Sequence, residues 1–434
     1  MSNYSDENLT LCVPRPSSGQ NPHQPVLVRA PKPDLTREDA PVNHILIKVD
    51  RFGWSANKYF DFHPAPTSTN PPVSPATHGL IPVWGFGTVV ASTHPRIQAG
   101  ERVYGYLAPS RYLLLPISPS DVNKYAFYVP RPELPADRRP YNQITRCSTD
   151  PMYSPSPKIE DLTMLYRPLF WTSFWCEDWL FSATNPPYRG AKNILISSAS
   201  SKTAFCLAYL VKKRLQKENL NTRVVGLTSK GNMTFTEGLG LYDVVYDYDS
   251  LTAISTSGDK DGSWVYTDVA GNNKLNTRVF AHFGAGLATG IQLGLTNLSP
   301  SAPEASSTKW STNTFEGSSS SKGVRELEQF FMPDTKWSTN TFEGSSSSKG
   351  VRELEQFFMP EWLTLRRHQL PLQTITSLQA EAWTALMRDC TKWVRMGRVY
   401  GGTAVIDAYK RFGSAGGPDV GWVWSLWEND SAKL

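Results

Sequence analysis

The order of apolar and polar positions predicts two kinds of structure in succession along the chain. Before about residue 130, short alternating runs such as His44–Arg51 and Val83–Ala91 predict half-buried strands separated by turns. After about residue 160, strand-like runs alternate with helical ones, and Asn193–Ser197 leads directly into a helical period over Thr203–Gln216. Such alternation is typical of a doubly wound parallel sheet. The expected fold class is therefore α/β, with a β-rich domain preceding a Rossmann domain.

The same patterns set the expected domain limits. The proline-rich residues 1–39 are expected to form an extended arm, residues 40–160 the β-rich domain and residues 161–300 the Rossmann domain. Residues 361–434 are expected to pack back on the β-rich domain. Residues 301–360 are expected to form a serine-rich loop.

That loop contains a tandem duplication. Thr308–Pro333 recurs without a change at Thr335–Pro360, separated by Asp334. A solenoid needs at least three stacked units, so two identical copies do not indicate one. Long surface insertions cost little free energy, and we therefore expect one copy to be dispensable. The duplication has two explanations, a recent duplication in the gene or a mistaken gene model.

Composition and charge narrow the possible partners. The net charge of +5 is spread along 434 residues without a basic block, so no nucleic-acid partner is expected. No run approaches ~18 apolar residues, and no membrane partner is expected. The amino terminus is polar and acidic, unlike a secretory or transit peptide, which favours the cytoplasm. The five cysteines lack metal-ligand spacing, and no metal is expected.

The strongest local signal is the segment from Asn193 to Ala208, in which a short apolar strand meets a helix through small residues. Pyrophosphate binding needs this order, because the phosphates must approach backbone N–H groups at a helix N-terminus. The candidate cofactor-binding residues here are Ser198, Ala199, Ser200, Ser201, Lys202 and Thr203. Two other interpretations remain open. One is an ordinary strand–helix turn capped by serine. The other is a triphosphate-binding loop ending in Lys202-Thr203, which lacks its glycines because Ile196 and Ser201 stand in their places.

The next strand ends suggest which dinucleotide would bind. An NAD site would place a carboxylate after the second strand, but Ser229 and Lys230 follow it here and suit a 2′-phosphate. A solvated turn would have the same composition. Asp268 and Gly271 end a later strand, where the backbone could contact the nicotinamide half. The expected cofactor is NADPH.

Several segments carry a family resemblance. The stretch Gly100-Glu101-Arg102-Val103-Tyr104-Gly105 resembles a turn of the medium-chain dehydrogenases/reductases, and the serine-rich turn resembles the phosphate-binding turn of their zinc-free, quinone-reductase-like branch. Together with WSANKY, YNQITR, RPLFWTS and QFFMP, these segments make the chain look like a member of an uncharacterised reductase-like family of fungi and bacteria. The resemblance covers roughly residues 40–300. It implies a GroES-like β-rich domain beside the Rossmann domain, and it leaves a homodimer open.

The resemblance also implies candidate catalytic residues. Asn57 matches an asparagine near the nicotinamide in zinc-free members, and Tyr59 lies two residues later. An amide could orient a substrate carbonyl and a phenol could supply a proton, although a buried aromatic is the commoner role for such a tyrosine. The expected function is NADPH-dependent hydride transfer to a small carbonyl, quinone or enone substrate. The alternative is a non-catalytic dinucleotide-binding protein, such as a sensor or partner subunit.

Overall fold

The structure is a computed structural model that describes residues 6–55, 63–132, 140–256, 263–269, 271–293, 354–357, 359–415 and 417–428. Its strands are β1 Glu7–Pro14, β2 Val26–Pro31, β3 His44–Trp54, β4 Ser68–Thr69, β5 Pro72–Val73, β6 His78–Gly79, β7 Val83–Ser92, β8 Arg102–Leu107, β9 Tyr112–Pro116, β10 Ala126–Tyr128, β11 Gln143–Arg146, β12 Asn193–Ile196, β13 Arg223–Thr228, β14 Val244–Asp247, β15 Trp264–Asp268, β16 Leu287–Gln292, β17 Glu355–Gln356, β18 Arg395–Tyr400 and β19 Val420–Ser425. Its helices are α1 Pro157–Ser182, α2 Lys202–Lys217, α3 Met233–Gly238, α4 Asn273–Phe283, α5 Met359–Gln369, α6 Leu372–Asp389 and α7 Gly402–Ala415.

The described residues divide into two compact units. The first is drawn from Met1–Leu165 and Val394–Leu434, and the second from Tyr166–Ser319 and Thr335–Trp393. Strands β1–β11, β18 and β19 belong to the first unit, and the parallel strands β12–β17 belong to the second.

The first unit is rich in antiparallel sheet. Its main sheet has the order β10-β11-β8-β7-β3-β19-β18, and β9 also pairs with β3. The inward side chains of these strands form one apolar core that includes Ile47, Phe52, Val103 and Trp424. Strand β19 pairs with β3 although the two lie about 370 residues apart in sequence, so the carboxyl-terminal strands complete this sheet.

The amino-terminal prediction is wrong. Residues 7–31 do not form an extended arm, because β1 and β2 pair antiparallel and β1 also pairs with β6. Leu11 and Cys12 on β1 are completely buried. The many flanking prolines suggested an arm, but the apolar run from Leu9 to Val13 packs into the unit instead.

The carboxyl-terminal prediction needs a correction. Strands β18 and β19 lie in the first unit, whereas α5 and α6 belong to the second. On α6, Trp383 packs against Phe170 of α1 with ring centroids 5.2 Å apart. The helical residues of 361–434 therefore divide between the units, because their apolar faces pack on different partners.

The second unit contains the doubly wound sheet that the sequence predicted. Its six strands are parallel and follow the order β14-β13-β12-β15-β16-β17. Numbered from β12, this is 3-2-1-4-5-6, the strand order of dinucleotide-binding Rossmann folds. Leu195 and its neighbour Ile194 point to opposite faces of β12, and both are completely buried. Both faces of the central strand are therefore covered, as is usual for parallel sheets.

The predicted serine-rich loop ends earlier than expected. Glu355–Gln356 forms β17, which extends the parallel sheet beside β16, and α5 begins at Met359. Leu354 packs on the core beneath β16, and Phe357 donates its backbone N–H to the carbonyl of Gln292. The end of the second repeat copy is thus part of the sheet. Residues 294–353, including the first copy, lie outside the described residues. None of the described helices combines the length and apolar character needed to cross a bilayer.

Candidate dinucleotide site

Three predicted segments meet at one edge of the parallel sheet. The serine turn Ser198–Thr203 follows β12, Ser229-Lys230 follows β13, and Asp268 ends β15. Strands β13, β12 and β15 are neighbours, and parallel strands end at the same edge. From β12 the chain continues to β13 and β14 on one side of β12, and it then crosses to β15 on the other side. The direction of the strand order therefore reverses between β12 and β15. Ligands of open α/β sheets bind at this kind of switch point.

The serine turn has the geometry that usually calls for glycine. Ser198 has a φ of 51°, in the left-handed region. The carbonyl of Ser198 then accepts the backbone N–H of Ser201 at 2.7 Å, which closes the turn before α2 starts. A non-glycine residue in this region carries a small conformational cost, so the sequence keeps a side chain here despite some strain.

Ser201 caps α2. Its backbone is extended and its Oγ accepts the N–H of Ala204 at 3.3 Å. The first N–H groups of a helix have no partner within it, and the helix dipole adds partial positive charge at that end. The beginning of α2 is therefore suited to an anion.

The other serine hydroxyls tie the turn to neighbouring strand ends. Ser197 donates to Asp268 Oδ1 at 3.2 Å, and Ser200 Oγ accepts the side-chain N–H of Asn232 at 3.1 Å. The hydroxyls of Ser198 and Tyr248 lie 3.4 Å apart. The serine-rich composition thus cross-links the turn to the segments that follow β15, β13 and β14.

Close packing holds the turn against β13. A Cβ at Gly226 would lie 3.0 Å from the Cβ of Ala199 and 3.1 Å from the ring of Tyr242. The Tyr242 hydroxyl also donates to the carbonyl of Ala199 at 2.9 Å. Ala199 therefore faces inward as a packing residue and Ser200 is also buried, while Ser198 and Ser201–Thr203 form the partly exposed part of the turn.

Asp268 orders the loop after β15. Its side chain is 0% exposed, and it accepts hydrogen bonds from the backbone of Gly271 at 3.0 Å and from Asn276 Nδ2 at 2.7 Å, besides Ser197. Tyr266 in turn donates to Asn276 Oδ1 at 2.7 Å. Gly271 has a φ of 69°, which favours glycine. The Asp268 carboxylate is thus committed to shaping the loop, and a ligand would meet the loop's backbone.

A carboxylate that sequence reasoning missed lies near Ser229 and Lys230, the residues predicted to meet a 2′-phosphate. Ser229 is half-buried and Lys230 is exposed. Asp247, at the end of β14, lies opposite Thr228 in the sheet register. Hydrogen bonds from the Ser250 side chain and backbone, with the charge of Lys230 as a smaller contribution, lower the pKa of Asp247. Its oxygens therefore bind the turn that follows β14. Asp247 ends the third strand and does not follow the second, but the rule that parallel strands end together would point to it.

The predicted catalytic pair cannot be placed beside this site. Asn57 and Tyr59 fall within 56–62, outside the described residues. Within the part of the chain that the structure describes, no three His, Cys, Asp or Glu side chains are grouped as a metal site would require. The cofactor segments are thus brought together, whereas the catalytic residues remain a prediction.

A family model described as "Protein of unknown function (DUF2855)" matches residues 50–416. No curated protein matches the chain. Among solved structures, CurA from Vibrio vulnificus is similar at 13% identity and a TM-score of 0.47, over 96% of this chain and 98% of that one. CurA in complex with NADPH matches at 12% identity and 0.47, over 98% and 100%. The human synaptic vesicle membrane protein VAT-1 homolog-like protein matches at 13% and 0.43, over 98% and 99%.

Proposed function

This chain belongs to the DUF2855 family of proteins of unknown function, and from that premise we propose that it is an NADPH-dependent oxidoreductase. It transfers hydride to a small carbonyl, quinone or enone substrate, and it does so without zinc, as the sequence resemblance implies. NADPH supplies the hydride when bound, and the protein's part is to bind, orient and shield it. The proposal rests on this chain's own residues.

One observation carries the cofactor assignment. At the point where the 3-2-1-4-5-6 strand order reverses, a tight turn of small residues leads into a capped helix. Pyrophosphate needs a backbone that approaches closely and N–H groups that point at it, and this turn offers both. The residues present therefore fit the group. Ser198, Ser200, Ser201, Lys202 and Thr203 would hold the pyrophosphate, with Ala199 packed behind them.

The ends of the cofactor follow from the neighbouring strands. Gly271 and the backbone of the loop that Asp268 orders would contact the nicotinamide half. Ser229 and Lys230 would hold the 2′-phosphate through a hydrogen bond and a charge-assisted contact. The Asp247 oxygens accept hydrogen bonds from the Asp249 and Ser250 backbones at 2.8 and 3.1 Å, so this carboxylate already has partners. Lys230 is thus the charge that we assign to 2′ recognition.

Titration of both cofactors tests the assignment. Lys230→Glu should weaken NADPH binding about tenfold or more and leave NADH binding little changed, because a carboxylate repels the 2′-phosphate. Lys217→Glu, which makes the same charge change at the exposed end of α2, is the matched control. Equal wild-type affinity for the two cofactors, or an unchanged ratio in Lys230→Glu, would show that this loop does not select the 2′ position.

A measurement of turnover would distinguish an enzyme from the alternative function, a non-catalytic dinucleotide-binding sensor or partner subunit. We propose that Asn57 orients the substrate carbonyl and that Tyr59 supplies the proton. NADPH oxidation should be measured against a panel of quinones and enones. Asn57→Ala should lower kcat/KM about tenfold or more, since one oriented donor contributes on the order of 1.4 kcal/mol. Tight NADPH binding with no turnover on any substrate would favour the sensor.

A further inference from the structure

A side-chain hydrogen bond joins the pyrophosphate turn to the 2′-selecting loop. Asn232 Nδ2 donates to Ser200 Oγ at 3.1 Å, and Ser200 is only 9% exposed. Building on the proposed function, we propose that Asn232 is a positioning residue for cofactor selection. It holds Lys230 at a fixed place relative to the turn and so raises the preference for a dinucleotide that carries a 2′-phosphate.

The loop that carries Lys230 is short and closed at both ends. Lys230–Asn232 forms a single 3-10 turn after Ser229. The backbone N–H of Asn232 donates to the Ser229 carbonyl at 2.9 Å, and the Asn232 carbonyl accepts the Thr236 hydroxyl at 2.7 Å. Within so tight a turn, the Lys230 backbone moves with Asn232. Fixing the Asn232 side chain on Ser200 therefore fixes the origin of the Lys230 side chain.

The covalent structure of the dinucleotide explains why the hydrogen bond between Asn232 and Ser200 should affect cofactor binding. The 2′-phosphate and the pyrophosphate are attached to one ribose, so both protein anchors must fit a set separation at once. A loop that is already held loses less conformational entropy when it binds. NADH presents no 2′-phosphate and does not require Lys230 to be in place. Loss of the link should therefore weaken NADPH binding more than NADH binding, an effect that general destabilisation of the turn would not produce.

A double-mutant cycle with two cofactors tests the inference. Asn232→Ala, Ser200→Ala and the double variant are titrated with NADPH and with NADH by calorimetry. Each single substitution should narrow the NADPH:NADH affinity ratio by about three- to tenfold. The double variant should lose no more than the larger single effect, because both substitutions remove the same bond. Asn221→Ala, the same substitution at an exposed asparagine just before β13, should leave the ratio unchanged.

The outcomes separate this inference from the proposal beneath it. Wild-type protein that binds neither cofactor would overturn the proposed function, and this inference with it. Wild-type protein that prefers NADPH, combined with an unchanged ratio in Asn232→Ala, would overturn the inference alone. Equal losses for NADPH and NADH, or single effects that multiply in the double variant, would also overturn it, since Asn232 would then act on the turn in general.

Discussion

In the β-rich unit, charged side chains pair with one another, whereas at the carboxyl edge of the parallel sheet serine hydroxyls and backbone groups join the strand ends. The first region is a network of three arginines and three carboxylates, of which Arg102 and Arg398 are partly exposed and the others buried: Asp50, Arg51, Arg102, Glu160, Asp161 and Arg398. The second region is built from serine hydroxyls and backbone N–H groups, with Lys202, Lys230, Asp247 and Asp268 as its charged residues. It has fewer formal charges than the first region.

The burial of the two regions shows why charge density alone does not mark a ligand site. Arg51 is 1% exposed and lies 2.8 Å from Glu160, which also binds Arg102 at 2.7 Å. Asp161 is fully buried and binds Arg398 at 2.6 Å. Equal numbers of opposite charges satisfy each other there. In the serine turn, Ser198 and Ser201 stay partly exposed. We infer that the network supports the fold, whereas the turn serves the ligand.

The largest expected effect comes from breaking the network. Glu160→Gln keeps the shape of the side chain but removes the charge that faces Arg51 and Arg102. Leaving buried cations without their partner costs about 3–5 kcal/mol, so the free energy of unfolding in denaturant should fall by that amount. Asp39→Asn, at an exposed ion pair with Arg37, should change it by less than about 1 kcal/mol. Equal small losses in both variants would contradict the structural role of the network.

A second buried carboxylate should make stability depend on pH. Glu177 on α1 is 7% exposed, and burial raises its pKa from 4.5 to about 8 against the opposing charge of Arg214, 3.4 Å away. The folded state therefore holds a proton that the unfolded state releases above about pH 4.5. Its contribution to stability is full below that pH and is lost as pH rises through about 8.

The matched variant for this prediction is Glu177→Gln, which keeps the neutral form at every pH. Between pH 5 and 9, the free energy of unfolding of the wild type should fall relative to that of Glu177→Gln, by on the order of a few kcal/mol. Denaturant titrations across this range measure the difference. Parallel pH profiles for the two proteins would mean that Glu177 is already ionised in the folded state.

The two regions also differed in how far the sequence could predict them. The strand–turn–helix order at 193–217 is local, and apolar runs with helical periodicity were enough to find β12, α2, β13 and β15. The ion network pairs residues that are far apart in sequence, such as Asp161 and Arg398, which lie 237 positions apart. No local pattern signals such pairs. The β1–β2 pairing was missed for a related reason, because the flanking prolines dominated a short apolar run.

Within the candidate site, the sequence predicted the turn residues but not their partners. Asp247 and Asn232 lie on segments that follow other strands, and they meet the site through sheet register and a side-chain hydrogen bond. The structure also adds a role for the Asp268 side chain, which is fully buried and shapes the loop whose backbone was predicted to contact the cofactor. Local pattern identifies the parts of such a site, and tertiary geometry decides what each part does.

Two substitutions at Ser201, with a smaller expected effect, distinguish its role as the helix cap from its place beside the pyrophosphate. The Ser201 hydroxyl already accepts the Ala204 N–H, so Ser201 would hold the pyrophosphate through its backbone. Ser201→Ala removes the cap but keeps that backbone and the open space, and it should lower the free energy of unfolding by about 1 kcal/mol while NADPH affinity falls less than in a bulky variant. Ser201→Leu removes the same cap but also fills the space that the pyrophosphate needs, so NADPH affinity should fall at least about tenfold. Denaturant unfolding and calorimetry measure the two quantities. Equal NADPH affinity in both variants would show that the cofactor does not approach this turn.

The smallest effect is expected from shortening the duplicated segment. Deleting residues 334–360 joins Pro333 to Glu361, and because the copies are identical, Glu328-Gln329 can then form the strand that Glu355–Gln356 forms now. The sheet keeps its sixth strand, and a shorter chain between β16 and β17 should change the free energy of unfolding little. The melting temperature should change by no more than a few degrees, and the affinity for NADPH should stay the same.

Serine substitutions show which copy supplies the strand. Phe357 is 8% exposed and follows β17, so Phe357→Ser should destabilise the full-length chain by about 2–4 kcal/mol. Phe330→Ser, at the same position of the first copy, should change the full-length chain little, because the second copy already provides β17. In the shortened chain, Phe330→Ser should instead cost as much as Phe357→Ser does now. Two results would contradict this prediction: a large fall in melting temperature on deletion alone, or a fall in the free energy of unfolding caused by Phe330→Ser in the full-length chain. Either result would show that both copies pack into the structure.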